Sequence, residues 1–88
     1  MNAKVSTQLS TKVRISKVDD VKALTKYLEN KCDFDVDLVS GRYVVDAKSF
    51  MGIFSLDLSK TLDMVIHTTE DEAKDLLTWL ETMNILEK

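Results

Sequence analysis

Proline is missing from this chain of 88 residues, and only two glycines and one cysteine punctuate it. Without proline or a low-complexity linker the sequence offers no internal boundary, so residues 1–88 read as a single domain. A lone cysteine, Cys32, excludes an intrachain disulfide and cannot by itself hold a structural metal. No run approaches the roughly 20 apolar residues that span a bilayer, and MNAKVSTQLSTK lacks the apolar core of a signal peptide. The expectation is a cytoplasmic protein with no membrane partner. A basic stripe is missing too: the net charge is -3, which argues against a nucleic-acid partner, because phosphate binding relies on clustered Lys and Arg. Nor is there a nucleophile–base pair, a cluster of ligating side chains or a phosphate-cradling glycine loop. An enzyme is therefore not expected, and no cofactor or metal is called for.

What is present is ordinary globular material. Hydrophobic residues make up 44% and charged residues 31%, too apolar for disorder and enough for one aliphatic core. Val5, Thr7, Leu9, Thr11, Val13 and Ile15 alternate with polar residues, predicting a half-buried strand centred on Thr11 to Ser16. Residues 1–10 read as an extended or flexible N-terminal segment. From Lys17 the period becomes helical: Val21, Leu24 and Leu28 form one stripe, with Ala23 and Tyr27 beside it, predicting a helix from about Asp20 to Lys31. Asp19 or Asp20 is expected to cap it and Val18 to pack back on Lys22 or Ala23 as a loose staple. Cys32, at the end of the stripe, reads as a half-buried small hydrophobe.

Strand alternation returns in Phe34, Val36 and Leu38, answered after a Ser40-Gly41 turn by Tyr43, Val45 and Ala47. Asp33, Asp35 and Asp37 fall on the outer face of this hairpin, a solvated row rather than a calcium loop. Ser49 to Leu56 reads as a short helix, and Leu62, Met64 and Ile66 as a further strand. Thr69-Glu70-Asp71-Glu72 is a capping box opening a last helix through Ala73, Leu76, Leu77, Leu80 and Met83. Trp79 is placed at the core edge of that helix. The order is β-α-β-β-α-β-α. It implies an α+β fold, a four-stranded antiparallel or mixed sheet with its helices on one face and a mostly charged outer face, including Arg42, Asp46, Asp63 and His67.

With that order in hand, "KSFMGIFSL" resembles the K-S-I-M-G-V-M-S-L segment of HPr, the histidine-containing phosphocarrier of the bacterial sugar phosphotransferase system. The resemblance runs without a gap from about Asp33 to Ile66 and more loosely into the last helix. It rests on Lys48, Ser49, Met51, Gly52, Ser55 and Leu56, and it implies the HPr-like open-faced β-sandwich with an antiparallel sheet. The family carries its phosphoryl group on a histidine in a G-I-H-A-R-P-like loop entering the first helix. The corresponding stretch here is "ISKVDDVKAL". Counting back from Ser49 puts Val18 at the histidine, Asp20 at the arginine and Val21 at the proline, and aligning the first strand instead only shortens the loop. Neither register supplies a histidine. Asp19 and Asp20 would moreover fill the positive helix end with carboxylates that repel a phosphoryl group. The resemblance thus implies an HPr-like regulatory or adapter protein without phosphocarrier activity. His67, the sole imidazole, reads as a plain surface residue on a strand.

Ser49 has two compatible readings. Its hydroxyl can cap the short helix, and in Gram-positive relatives the matching serine is phosphorylated by a dedicated kinase, the phosphoserine form binding a transcriptional regulator. Helical spacing buries Ile53 and Leu56 and leaves Phe50 and Phe54, with Met51 beside them, either as an outward docking patch or with one or both rings under the last helix. Tyr27, Ala23 and Asn30 would border the patch from the first helix, and Lys48 would stand at its start. The resemblance makes the partner a phosphotransferase-system component, a serine kinase or a transcriptional regulator, with the protein itself a monomer or weak dimer. Asp19 and Asp20 would disfavour partners with acidic docking faces. Two other readings stand beside this one: a phosphocarrier using a non-standard acceptor, and a small-ligand module of the ferredoxin-like kind.

Overall fold

The structure is a computed structural model that describes residues 7–87. Val5, and the first six residues of the segment expected to be extended or flexible, lie outside the described residues. The described chain forms β1 (Leu9–Val13), α1 (Val18–Lys31), β2 (Val36–Ser40), β3 (Tyr43–Asp46), α2 (Phe50–Phe54), β4 (Leu62–Ile66) and α3 (Glu70–Thr82). The element order is the expected one.

All strand pairs are antiparallel, and the sheet order is β1-β4-β2-β3. Alternation assigns the faces. Val13, Val36, Leu38, Leu62, Met64 and Ile66 point inward and are buried together with Val21, Leu24 and Leu28 of α1, Ile53 of α2, and Ala73, Leu76 and Leu80 of α3. Each large aliphatic chain buried in this way contributes about 1.5–3 kcal/mol. Three helices on one face and an open second face make this an α+β open-faced β-sandwich of the HPr-like kind. No helix among the described residues is long and apolar enough to cross a membrane.

The helices lie side by side in a definite order. After α3 the chain returns to β1, where the Arg14 amide donates to the Ile85 carbonyl at 2.7 Å and the Glu87 amide to the Lys12 carbonyl at 2.9 Å. At the opposite edge α2 follows β3 and packs on it and on α1. Since the Tyr27 ring of α1 stacks on Trp79 of α3, at 4.4 Å between centroids, α1 sits between α3 and α2.

Several local expectations are corrected. β1 was expected over Thr11–Ser16, but its pairing with β4 ends at Val13↔Leu62, because β4 begins there. Beyond that point the extended chain changes partner to the C-terminal segment. α1 begins at Val18 with Lys17 as N-cap and no capping side chain. The Lys17 carbonyl already takes the amides of Asp20 and Val21, at 3.0 and 3.2 Å, so Asp19 and Asp20 fall inside the first turn and do not cap it. Val18, as the first helical residue, is exposed and is no staple. The hairpin turns on Gly41-Arg42, between the paired Ser40 and Tyr43, with Gly41 at φ +60. That is the position at which a two-residue hairpin of type II′ asks for glycine. Tyr43, expected inward, is largely exposed because it stands at the end of an edge strand. Phe34 is only half-buried and precedes β2, whereas Cys32 is buried more fully than expected.

The two predicted serine and threonine caps are formed. Thr69 Oγ1 accepts from the Glu72 amide at 3.2 Å, while the Glu72 carboxylate takes the Thr68 hydroxyl at 2.5 Å and does not close the reciprocal capping box.

Candidate functional site

The stretch "DAKSFMG" builds a small platform from main-chain geometry upward. Asp46, the last residue of β3, receives the Lys48 amide on Oδ1 at 2.9 Å and the Ser49 amide on its carbonyl at 2.9 Å. This tight turn sets Ser49 in extended backbone as N-cap of α2, where its Oγ accepts from the Gly52 amide at 3.1 Å. Lys48 then reaches away from solvent: its Nζ donates to the carbonyl of Cys32, at the C-terminal end of α1, at 3.0 Å. One cation thereby satisfies an orphan carbonyl of α1 and ties α2 to it.

From this platform Ile53 and Leu56 point into the core, as their spacing requires. The aromatic pair divides. Phe50 is half-buried against the core, while Phe54 is 39% exposed, and the two rings meet edge to face at 4.9 Å. Met51 is 75% exposed. An exposed Met beside an exposed ring edge is the composition of an adaptable contact surface. Ser49 itself is exposed and so open to modification.

The first helix contributes a different flank from the one expected. Tyr27 is half-buried and stacked on Trp79, so its stripe, with Ala23 one turn earlier, faces α3. The structure therefore does not bring Ala23 and Tyr27 to Met51 and Phe54. The opposite stripe of α1 turns toward α2, and by helical spacing it carries Val18, Lys22, Thr25 and Glu29, with Lys26 beyond them. α2 starts near Cys32, at the far end of α1. The chain leaving α2 must reach Leu62, paired with Val13 just before α1 begins. α2 thus points its Phe54 end back toward the helix entrance, where Val18 is 53% exposed. Val18, read from the sequence as a staple, is instead an exposed apolar residue at the entrance of α1, because the helix starts earlier than expected.

Burial pushes the Cys32 thiol above its ordinary value, with Lys48 opposing and Asp33 adding to the effect. Tyr27 is raised by burial first and then by the nearby Cys32 and Asp75 charges.

On the open face, His67 is not the isolated residue expected. Its Nε2 lies 2.9 Å from Asp37 Oδ2, both side chains being about one-third exposed, and its amide donates to the Asp35 carbonyl at 2.9 Å. The partner was invisible in sequence because it is 30 residues away, on the neighbouring strand. Among the described residues no group of three or more His, Cys, Asp and Glu side chains converges to hold a metal ion. No protein-family model matches this chain, and no curated protein matches it.

Proposed function

We propose that this chain is an HPr-like regulatory or adapter protein of the cytoplasm, not an enzyme and not a phosphohistidine carrier, which docks a protein partner through α2 and the neighbouring flank of α1. The observation that carries this reading is the exposure of Met51 and Phe54 on a helix fixed by Ser49 and Lys48. On the resemblance, the partner is a phosphotransferase-system component, a serine kinase or a transcriptional regulator. Phosphorylation at Ser49 would place a dianion at a helix N-cap, where free amides favour it, and would change the charge beside Met51.

The entrance of α1 supports the loss of carrier activity. Lys17, Val18, Asp19 and Asp20 occupy it, and the two aspartates in the first turn stabilise the helix by about 0.3–1 kcal/mol each while opposing an incoming phosphoryl group. The second reading, a phosphocarrier with a non-standard acceptor, is favoured by one observation. His67 is held through Nε2 by Asp37, which leaves Nδ1 as the ring nitrogen with no partner among the described residues.

Intact-mass measurement separates the readings. The protein is incubated with enzyme I plus phosphoenolpyruvate and, separately, with the family's serine kinase plus ATP. A phosphoryl adduct only in the second, lost in Ser49→Ala, is the expected result. An acid-labile adduct in the first that disappears in His67→Gln would establish the carrier reading instead.

A further inference from the structure

The two edges of the sheet are treated differently. The C-terminal segment covers β1 at Lys12–Arg14, through the bonds to Ile85 and Glu87 and a bridge between Val13 and Leu86. β3 closes the other side of the sheet with no described strand paired beyond it, although an open edge is a template for a further strand.

Which main-chain groups β3 offers follows from its register. The Ala47 amide donates to the Val36 carbonyl at 2.8 Å, so alternation directs Val45 and Tyr43 toward β2 and leaves Val44 and Asp46 facing outward. The Asp46 carbonyl is taken by Ser49. The amide and carbonyl of Val44, the Asp46 amide and the carbonyl of Arg42 remain on the edge. Val44 is 61% exposed and Tyr43 72% exposed, so this edge is apolar as well as unpaired.

The sequence of the edge is complementary to itself. Read antiparallel against a second copy and centred on Val44, Arg-Tyr-Val-Val-Asp (residues 42–46) sets Arg42 opposite the second copy's Asp46, Tyr43 opposite its Val45 and Val44 opposite its Val44. We propose that β3 is a self-association edge, taking a second copy of this chain in that register to make one eight-stranded sheet across a two-fold axis. Val44 exchanges two hydrogen bonds with its counterpart, and each Asp46 amide donates to the opposing Arg42 carbonyl. The two Arg42–Asp46 pairs fix the register, because a shift of two residues would leave these charges unpartnered. A two-fold interface uses one patch on both subunits, so its charges must pair with themselves, and this edge meets that condition. Because the axis runs perpendicular to the sheet, both α2 helices face the same side. A dimer would thus present two docking surfaces together.

Sedimentation of the full chain over rising concentration, with an isotope-filtered NOE experiment at the upper end, tests the proposal. The expected result is a dimer with a dissociation constant below about 1 mM and an intermolecular contact between the Hα atoms of Tyr43 and Val45. Val44→Pro removes an amide that the monomer does not use, at an edge position where proline is tolerated, and should abolish the dimer. Arg42→Glu is the second variant, since the Arg42 side chain makes no hydrogen bond or ion pair to a described residue. It replaces two attractions by two repulsions and should weaken the dimer about tenfold. A wild-type protein that stays monomeric at that concentration overturns the proposal, as does a dimer that tolerates both substitutions or one whose NOE contacts lie elsewhere.

Discussion

Gly52 separates two explanations of the short helix. In an ordinary exposed helix, replacing glycine by alanine gains about 1 kcal/mol through backbone entropy. Here a Cβ at position 52 would stand 2.9 Å from Ser49 Oγ and 3.2 Å from Ser49 Cβ, with Val45 Cβ at an ordinary 3.5 Å. The new methyl must displace the hydroxyl that accepts from the Gly52 amide. Loss of a serine N-cap costs typically about 1 kcal/mol, which cancels the entropic gain, and forcing a methyl into the remaining contact adds about 1–3 kcal/mol. Gly52→Ala should therefore destabilise the domain by about 1–3 kcal/mol, or roughly 4–24 °C in Tm for a domain of this size. In Ser49→Ala the hydroxyl is already gone, so Gly52→Ala should then cost about 1 kcal/mol less than in the parent, because no cap remains to be lost. Urea unfolding of the four proteins, with equal m-values, gives the coupling directly. The expected coupling is at least 1 kcal/mol. A stabilised Gly52→Ala, or two substitutions that simply add, would refute the argument that the glycine exists to let the cap close.

Other expectations follow from the same contacts. Tyr27→Ala and Trp79→Ala should show a double-mutant coupling of about 0.5–1.5 kcal/mol from the stacked rings; a coupling near zero would mean that the rings do not hold α1 to α3. Burial raises the Cys32 thiol, so above the unfolded value near pH 8.5 the native protein keeps a proton that the unfolded chain releases, and stability should fall as pH rises. Urea melts between about pH 7.5 and 9.5 should show that fall in the native sequence and a flatter profile in Cys32→Ala, and equal slopes would contradict it. Met51→Ala with Phe54→Ala should lower the unfolding free energy by no more than about 1–2 kcal/mol, because Met51 is 75% and Phe54 39% exposed and the Phe50–Phe54 ring pair is worth about 0.5–1.5 kcal/mol, and should abolish docking of the protein partner. A large loss of stability would instead make these side chains structural.

Where periodicity and turn chemistry acted locally, the sequence was sufficient. The alternation of Leu62, Met64 and Ile66, the stripe of Val21, Leu24 and Leu28, and the caps at Ser49 and Thr69 each depend on residues within a turn or two of one another. The departures arise where a distant segment decides. β1 ends where β4 runs out of pairing, which no property of residues 9–16 encodes. Tyr27 sits on a stripe that could have faced either neighbour, and Trp79, 52 residues later, settles which. His67 acquired its carboxylate across a strand pair. For the candidate site, the exposure of Met51 and the inward turn of Ile53 were legible from spacing. The unequal burial of Phe50 and Phe54 was not, because both lie on the same stripe and only their position along α2 distinguishes them.

A helix of five residues has no stability of its own, and of its side chains only Ile53 is fully buried. What holds α2 in place is therefore largely polar: Asp46 receives the turn, Ser49 caps the helix, and Lys48 reaches the end of α1. Those three bonds free the apolar residues from the task of anchoring the helix. Met51 and Phe54 can then remain outward without the helix fraying, and a partner that covers them meets a surface already ordered, so less entropy is lost on docking. The same arrangement explains why a serine precedes so apolar a turn. The Ser49 hydroxyl both accepts a bond from the helix and remains exposed, so a phosphate added there would alter the charge of the docking surface while its oxygens could still receive the Gly52 amide.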